Sequence, residues 1–451
     1  MGPLAHELEA DGAQLPRLFR ERLLQQSIEH ARTRVPAYRR LLAEAGGVRR
    51  LEDLAALPIT EKQALFDYPE AYRAEDLDTA LVQKTSGTTG KRLEMHRSSA
   101  EVEFIHGFFS QVLDRAPGAQ QPICVNLVLG CNGPPLPVPY PGPSLSVDLT
   151  DPAWIERAET LAAAPWLLCG TEPRPAVVAG LESQLRILTL LLAERGFDWS
   201  RSAVRSLVSC GDLLTARLRR LYETTWGVPV HDRYGMTEIF GGASPCPACS
   251  RWHFDCFVVP EAVDLRARQP IRRGVGALLL TSLVPFVQKQ PLVRYWTGDL
   301  VELHPGCPVD DFGFSIKGRL VRSVVAEEEA GAVVLLTAAD VYDALDDFPE
   351  VASSEMFRHV PVRDHSALGH LKFRLESSNG AGRTHVRLLV ELRHPPEARP
   401  EHTRALLERI RGAVIARHPE LASRLHDGSV EFAVEASPPG TLTSFLPDEV
   451  E

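Results

Sequence analysis

Short apolar runs alternate with stretches of helical periodicity through the middle of the sequence. Residues 123–129, 166–169, 204–210 and 228–232 are apolar runs, and residues 176–194 and 215–226 show helical spacing between them. Strands that alternate with helices usually pair in parallel, because each crossover helix returns the chain to the same edge of the sheet. The sequence therefore predicts an α/β fold with mostly parallel sheets and flanking helices.

The length of the chain predicts more than one packed unit. At 451 residues, the chain exceeds what a single core normally holds. We expect a large N-terminal domain over residues 1–318 and a small, mobile α+β lid domain over residues 319–451. In the second region, residues 338–345 and 403–418 predict helices, and residues 385–392 and 430–435 predict strands.

Charge and composition exclude several classes of protein. The formal net charge of −10 argues against nucleic acid or an anionic membrane surface as the main partner. No apolar run approaches the roughly 18 to 20 residues that span a bilayer. Residues 1–14 contain acids and no apolar stretch, so we expect no secretory signal. The eight cysteines are then expected to be reduced thiols or metal ligands in a cytoplasmic protein.

A loop rich in Gly, Ser and Thr precedes the predicted sheet. Its sequence, TSGTTGK, offers hydroxyl groups, a flexible backbone and the amine of the final lysine side chain, which can converge on an anion. It is not a Walker A loop, because two residues separate its glycines where that pattern needs four. A phosphate site and a plain flexible turn are both compatible with the loop alone. Its residues are Thr85, Ser86, Gly87, Thr88, Thr89, Gly90 and Lys91.

A hydroxyl and a carboxylate follow the last predicted strand of the middle region. The strand at 228–232 leads into YGMTE, which contains Tyr234, Thr237 and Glu238. Ligands of doubly wound α/β proteins bind beyond the carboxyl ends of the strands. This stretch is therefore a candidate for the chemistry of the protein.

Four motifs occur in an order that is typical of a known superfamily. TSGTTGK is followed by YGMTE, by RYWTGDL at residues 294–300, and by a Gly-Arg pair at Gly318 and Arg319. This order resembles that of the ANL superfamily of adenylate-forming enzymes. RVPAYRRLLAEAG at residues 34–46 and DLAALPITEK at residues 53–62 further resemble the N-terminal region of phenylacetate-CoA ligases. The resemblance extends to about residue 320 and weakens beyond it.

The resemblance implies an activity and a set of binding residues. Such enzymes convert ATP and a carboxylate to acyl-AMP and pyrophosphate, and then pass the acyl group to a thiol or an amine. It implies that the TSGTTGK loop holds the β- and γ-phosphates, that Thr237 contacts the α-phosphate and that Glu238 holds Mg²⁺, which prefers oxygen ligands. Asp299, with Arg319 beside it, is expected to bind the ribose. Asp232 and the backbone of Gly211 are expected to lie on the adenine, and Tyr234 is a further expected nucleotide-binding residue.

The C-terminal part departs from the family pattern. The family usually has an acid-rich hinge after the Gly-Arg pair, whereas residues 320–323 read LVRS. Related ligases also place a lysine near the end that reaches the site, whereas no lysine follows Lys372 here. A preorganised cation is worth roughly 10² to 10³ in rate. Lys91, Arg92 or Arg322 could substitute, and we expect Lys91 to act in catalysis with Thr237 and Glu238.

Two functions remain open from the sequence. The first is ATP-dependent activation of an aromatic or other small carboxylic acid, with CoA, a carrier protein or an amine as the acyl acceptor. The second is a divergent homologue that binds a nucleotide or acyl ligand, or transfers acyl groups, without adenylation. The nucleotide motifs favour the first, and the altered C-terminal part favours the second. The family also implies a homodimer, and pocket candidates by position are Cys210, Tyr234 and the predicted helix through residues 104–109.

A separate group of residues has the spacing of a metal site. CPACSRWHFDC at residues 246–256 contains a Cys-x-x-Cys pair followed by a histidine, and PGCPVDD at residues 305–311 adds another cysteine. Thiolate and imidazole ligands at such spacings suit a closed, structural Zn²⁺ site. Reduced thiols without a metal are the alternative. The expected ligands are Cys246, Cys249, His253 and Cys307, with Cys256 as a substitute.

Overall fold

The computed structural model describes residues 15–43, 46–85, 92–113, 123–136, 143–166, 172–328, 331–355, 357–380 and 383–442. Among these residues, no helix is both long enough and apolar enough to cross a bilayer. Short 3₁₀ helices occur at Leu51–Ala56, Pro69–Tyr72, Gly130–Asn132, Trp199–Arg201, Leu320–Arg322, His365–Leu368 and Pro396–Ala398.

Helices and a short hairpin precede the main sheets. The helices are α1 (Leu15–Arg34), α2 (Pro36–Leu41) and α3 (Lys62–Asp67), and the strands β1 (Leu81–Lys84) and β2 (Glu94–Arg97) pair antiparallel before α4 (Ser99–Leu113). Pro36 begins α2, because proline lacks the amide hydrogen that a helix interior needs and is tolerated in the first turn.

The predicted parallel sheet is confirmed. Its described strands are β3 (Ile123–Leu127), β4 (Ser144–Val147), β5 (Pro175–Leu181), β6 (Ser206–Cys210) and β7 (Val230–Arg233), in the spatial order β4-β3-β5-β6-β7. The helices between them are α5 (Pro152–Glu156), α6 (Thr160–Ala163), α7 (Glu182–Glu194) and α8 (Ala216–Trp226). β6 and β7 are neighbours, so their carboxyl ends, which both lead to predicted site residues, lie side by side.

One prediction in this region is wrong, and another lies mostly outside the described residues. The predicted helix at 176–194 begins too early, because residues 176–181 belong to β5 and α7 starts at Glu182. Val177 and Val178 are β-branched and fit a buried strand better than a helix. Of the predicted strand at 166–169, residues 167–169 lie outside the described residues.

Helix α8 shows how local chemistry sets a boundary. The Thr215 hydroxyl accepts a hydrogen bond from the Leu218 amide at 3.1 Å, which caps the first turn. Gly227 ends the helix with a φ of 68°, in the left-handed region that glycine adopts without strain.

A second sheet is antiparallel, a distinction that the sequence pattern does not make. Its strands are β8 (Ala243–Pro245), β9 (Trp252–Phe254), β10 (Val258–Val263), β11 (Gly274–Ser282), β12 (Tyr295–Leu303) and β13 (Phe314–Arg319), in the spatial order β10-β11-β12-β13-β9-β8. The register leaves Asp299 on β12 opposite Arg319 on β13. This sheet therefore brings the two predicted ribose-binding residues together.

The C-terminal region is α+β, as the sequence predicts. Its elements are β14 (Val324–Glu328), β15 (Gly331–Leu336), α9 (Ala338–Leu345), β16 (Phe373–Gly380), β17 (Arg383–Glu391), α10 (Pro400–Arg417), α11 (Pro419–His426) and β18 (Val430–Ser437). β17 pairs antiparallel with β16 and parallel with β18. The helix predicted at 338–345 is confirmed as α9.

Part of the C-terminal region packs into the core of the parallel sheet. Phe357, Val360, Val362 and Leu368 are buried in the same apolar cluster as side chains of β3, β5 and α7. The domain boundary after residue 318 stays a prediction. A movement of the C-terminal region as one rigid lid would expose these four side chains to water.

Candidate active site

The turn that follows β7 is held by a buried arginine. The Arg97 side chain is 0% exposed, and its Nη2 donates to the backbone carbonyls of Thr237 at 3.1 Å and Ile239 at 3.3 Å. The Glu101 carboxylate lies 3.6 Å from Nη1 of Arg97 and balances its charge. Thr237 and Glu238 are therefore presented by a turn whose position depends on a charge-assisted contact from outside the motif.

Glu238 lies between a tyrosine and a lysine from two other parts of the chain. Its Oε1 accepts a hydrogen bond from the Tyr295 hydroxyl at 3.1 Å and lies 3.5 Å from Nζ of Lys62. Burial, reinforced by the Glu238 carboxylate, raises the pKa of Tyr295 well above its ordinary value, so the hydroxyl stays protonated and donates. A carboxylate and a cation thus face each other at the end of the parallel sheet.

Asp299 is held in the same way by a tyrosine and a cation. Its Oδ2 accepts a hydrogen bond from the Tyr234 hydroxyl at 2.7 Å, and its Oδ1 lies 3.1 Å from Nε of Arg319. Burial raises the pKa of Asp299, although Arg319 and Tyr234 oppose the shift. Each carboxylate oxygen can accept a further hydrogen bond, so the side chain can still bind a pair of hydroxyl groups.

The predicted adenine residues lie on the two neighbouring strands of the parallel sheet. Gly211 follows β6 with a φ of 87°, and a Cβ there would come within 2.5 Å of Leu181 Cδ2. Only glycine suits this position, which leaves its backbone open to a flat ligand. Asp232 lies on β7 opposite Ser209 of β6, and burial raises the pKa of Asp232 to about 6 against the opposing charge of Arg219.

Thr85 closes the base of the predicted phosphate loop. Its amide donates to the Leu93 carbonyl at 2.9 Å, and its hydroxyl accepts a hydrogen bond from the Leu93 amide at 2.9 Å. The hairpin of β1 and β2 therefore brings the two ends of the loop together. The remaining predicted loop residues lie outside the described residues: Ser86, Gly87, Thr88, Thr89, Gly90 and Lys91.

A cavity of about 200 Å³ lies against the YGMTE turn. Its walls include Met236, Thr237 and Phe240 from the turn and the residues after it, and Phe257 from the loop before β10. Cys210, Tyr234 and the predicted helix at 104–109 are pocket candidates by position, but none of their described side chains lines this cavity. Phe108 instead packs edge-to-face on Phe257, behind the wall. Position in the sequence alone does not identify the pocket walls.

The four expected metal ligands lie together. The sulfur atoms of Cys246, Cys249 and Cys307 and a ring nitrogen of His253 all lie within 4.8 Å of one another. The Cys249 sulfur is 3.2 Å from Nε2 of His253. Cys256 is not part of this group. The group ties the turn between β8 and β9 to the loop after β12.

Three residues of the site are absent from the sequence predictions. Lys62 lies at the start of α3 in the ITEK stretch, Tyr295 lies within RYWTGDL, and Arg97 ends β2. The sequence signal for Tyr295 was its place inside a recognised motif. For Arg97 and Lys62 the signal was weak, because their contacts with the YGMTE turn span 140 and 176 positions along the chain.

Comparison with proteins of known function identifies the family. Over 319 residues, the chain is 30% identical to the phenylacetate-coenzyme A ligase of Thermus thermophilus, in an alignment that covers 66% of the chain and 68% of that relative. The chain belongs to the phenylacetate-CoA ligase family. The corresponding ligase of Pseudomonas putida is 26% identical over 299 residues, with 63% of the chain and 65% of that relative covered. The chain thus spans about two thirds of the length of these phenylacetate-CoA ligases. No family model matches the chain.

Solved structures share the fold of this chain. An open conformation of 2-hydroxyisobutyryl-CoA ligase in complex with 2-HIB-AMP and CoA matches with a TM-score of 0.62 at 15% identity, over 94% of the chain and 88% of that structure. The postadenylation state with 2-HIB-AMP matches with a TM-score of 0.60 at 14% identity, over 95% of the chain and 87% of that structure. At these identities the match establishes the fold alone. It confirms the α/β architecture that the sequence predicts.

Proposed function

We propose that the protein converts a small carboxylic acid and ATP to acyl-AMP and pyrophosphate, and then transfers the acyl group to the thiol of CoA. The observation that carries this proposal is the pair of carboxylates, Glu238 and Asp299. Each is held by a tyrosine hydroxyl and a cation, Glu238 at the end of the parallel sheet and Asp299 on the antiparallel sheet. The names of the two curated relatives, both phenylacetate-CoA ligases, support CoA as the acceptor.

Four groups of residues would bind the nucleotide. Asp299, with Arg319, would bind the ribose hydroxyls, and Thr237 would donate to the α-phosphate. The adenine would lie along Gly211, Asp232 and Tyr234. The β- and γ-phosphates would lie on the loop formed by Thr85, Ser86, Gly87, Thr88, Thr89, Gly90 and Lys91.

Glu238 fits a divalent cation bound with the nucleotide. It is a nearly buried carboxylate, 6% exposed, in a site made for phosphates. Mg²⁺ bound there would neutralise negative charge on the phosphates. Lys62, whose Nζ faces Glu238, would add a fixed positive charge at the same point, a task that the sequence prediction gives to Lys91.

The first step exchanges one bond at the α-phosphorus for another. A carboxylate oxygen of the acid attacks the α-phosphorus, and the bond to the bridging oxygen of pyrophosphate breaks. Negative charge grows on that leaving oxygen, where Lys62 and the loop would stabilise it. In the second step the CoA thiolate attacks the acyl carbon, and AMP leaves with the bonding electrons.

Exchange of pyrophosphate into ATP should depend on the acid and on Glu238. With a matching acid, labelled pyrophosphate should enter ATP, because the first step is reversible. Glu238→Gln keeps the size of the side chain but removes the charge that would hold the cation, so the exchange rate should fall about 10²-fold or more.

The matched control is Glu302→Gln on β12. Glu302 pairs with Lys317 at 3.0 Å on another part of the antiparallel sheet, and this variant should exchange at the normal rate. If ATP binds but no acid supports exchange, the proposal is wrong, and the second function considered from the sequence, a homologue that does not adenylate, takes its place.

We further propose that Cys246, Cys249, His253 and Cys307 hold a structural Zn²⁺. Zinc–sulfur bonds of about 2.3 Å place the sulfurs of a tetrahedral site about 3.8 Å apart, which agrees with four ligand atoms that lie within 4.8 Å of one another. Four protein ligands leave no open position for a substrate. The metal would brace the antiparallel sheet that carries Asp299.

Metal analysis should find about one zinc per chain. Cys246→Ser should lose the metal and lower the melting temperature, because a structural zinc contributes its binding free energy to folding. Cys256→Ser removes a nearby thiol that is not in the group, and should keep both the metal and the melting temperature. Zinc that survives in the Cys246→Ser protein, or that is lost with Cys256, would contradict this ligand set.

A further inference from the structure

The cavity against the YGMTE turn is lined by both apolar and polar side chains. Met236, Phe240 and Phe257 supply flat or adaptable apolar surface, and Gln83 and Arg233 supply polar atoms. Thr237 also lines the cavity. An acid bound here would therefore have its carboxylate near the residue proposed to contact the α-phosphate, and the rest of the molecule inside the cavity.

The cavity has room for one ring. Its volume is about 200 Å³, and an apolar cavity of about 150 Å³ is known to hold benzene. The remaining space accommodates a carboxylate and one small substituent. Walls of two phenylalanines and a methionine favour an aromatic ring, through edge-to-face packing and sulfur contacts.

Gln83 offers an acceptor that has no partner. Its Nε2 donates to the Pro134 carbonyl at 3.3 Å, and this contact fixes the orientation of the amide, because only the nitrogen can donate. The Oε1 atom is buried and makes no hydrogen bond with any of the described residues. A buried acceptor without a donor is costly, so this atom is suited to an N–H or O–H group of a ligand.

The charged pair that lines the cavity does not favour a second carboxylate on the ligand. Arg233 forms an ion pair with Asp255, and its Nη1 donates to the Ser244 hydroxyl at 3.0 Å. Asp255 also accepts a hydrogen bond from the Gly242 amide at 2.9 Å. Because Asp255 neutralises Arg233, the cavity presents no net charge here, and a neutral polar substituent suits it better than a charged one.

We propose that the acid activated by this protein is a single-ring aromatic acid with a hydroxyl or amino substituent, and that this substituent donates a hydrogen bond to Oε1 of Gln83. This inference rests on the proposed adenylation and names its substrate class. Gln83 is then a residue that determines specificity. A site built to pair with a donor discriminates strongly against an analogue that lacks the donor, because the acceptor is left buried and unpaired.

The test compares substituted and unsubstituted acids. Pyrophosphate exchange is measured with benzoate, phenylacetate, the three hydroxybenzoates, the three aminobenzoates and cyclohexanecarboxylate. The best hydroxyl or amino isomer should have a kcat/KM about 10 to 100 times that of benzoate. In Gln83→Leu this ratio should fall to about one, through loss of activity with the substituted acid. Gln26→Leu, on the exposed side of α1, should leave the ratio unchanged.

Different results would overturn this inference and the proposed function. The inference would be wrong if benzoate or cyclohexanecarboxylate supported exchange as efficiently as every substituted acid. It would also be wrong if Gln83→Leu left the ratio of kcat/KM between substituted acid and benzoate unchanged. Neither result would contradict adenylation. Absence of exchange with these acids and with short-chain aliphatic acids, although ATP binds, would overturn adenylation. In that case calorimetry with the same acids tests the substrate class separately. Tighter binding of acids with a hydroxyl or amino substituent, lost in Gln83→Leu, would support this class, and equal affinities for all of the acids would overturn it.

Discussion

Replacing Lys62 with methionine should lower the rate of acid-dependent pyrophosphate exchange about 10²- to 10³-fold. The Lys62 ammonium lies 3.5 Å from Glu238, and the Lys62 side chain is 25% exposed, so this side chain is partly shielded from water at the proposed position of the phosphates. A fixed cation there would stabilise charge that grows on the leaving oxygen and would need no reorganisation during the step.

The kinetic constants distinguish this role from a structural one. If Lys62 acts on the transition state, kcat should fall while the KM for ATP changes little. Lys62→Arg should recover part of kcat, because it restores the charge with a different shape. Lys317→Met removes a lysine that pairs with Glu302 on the antiparallel sheet, and should retain the normal rate. A normal kcat in Lys62→Met would contradict this role for Lys62. Lys91 would then be the candidate for stabilising the leaving oxygen, as the sequence predicts.

The sequence predicts the architecture well where periodicity and local chemistry agree. The strand 204–210 and the helix 215–226 are recovered within a few residues, because Thr215 caps the helix and Gly227 ends it. The predicted start of α7 is wrong, because an apolar strand runs directly into an apolar helix, and Gly180 lies within β5 rather than in a turn that separates the two. The antiparallel sheet is not predicted as such, since its pairing depends on contacts between distant segments.

The residues of the candidate site fall into those that the sequence predicts and those that only the structure reveals. Thr237, Glu238, Asp299 and Arg319 belong to short motifs, and the structure brings Asp299 and Arg319 into contact. Lys62 and Arg97 are recognisable only after folding, because packing decides which distant side chains meet. The roles of all these residues, and of the four metal ligands, stay predictions until binding is measured.

A buried ion pair joins the C-terminal region to the parallel sheet. Glu182 and Arg186, both in α7, are 1% and 4% exposed and form a salt bridge. The Tyr222 hydroxyl donates to Glu182, and Nη1 of Arg186 donates to the Gly369 carbonyl at 3.1 Å. The network thus connects α7, α8 and the segment that precedes β16.

Arg186→Met should lower the free energy of unfolding by about 3–5 kcal/mol, because it leaves the Glu182 charge buried without its partner. Urea unfolding followed by circular dichroism measures the loss. Adding Glu182→Met should recover part of the stability, since the second change removes the uncompensated charge. The recovery should be incomplete, because Tyr222 then lacks its acceptor.

The matched control is Arg32→Met on α1. Arg32 pairs with Glu29, and the two side chains are 47% and 54% exposed, so its removal should change stability by about 0–1 kcal/mol. An equally small loss in Arg186→Met would mean that water reaches the α7 pair in solution. Water would reach it if the segment around Gly369, with Phe357 and Leu368, left the core. A small loss would therefore support the predicted mobility of residues 319–451, whereas a large loss would mean that any lid movement must first break this network.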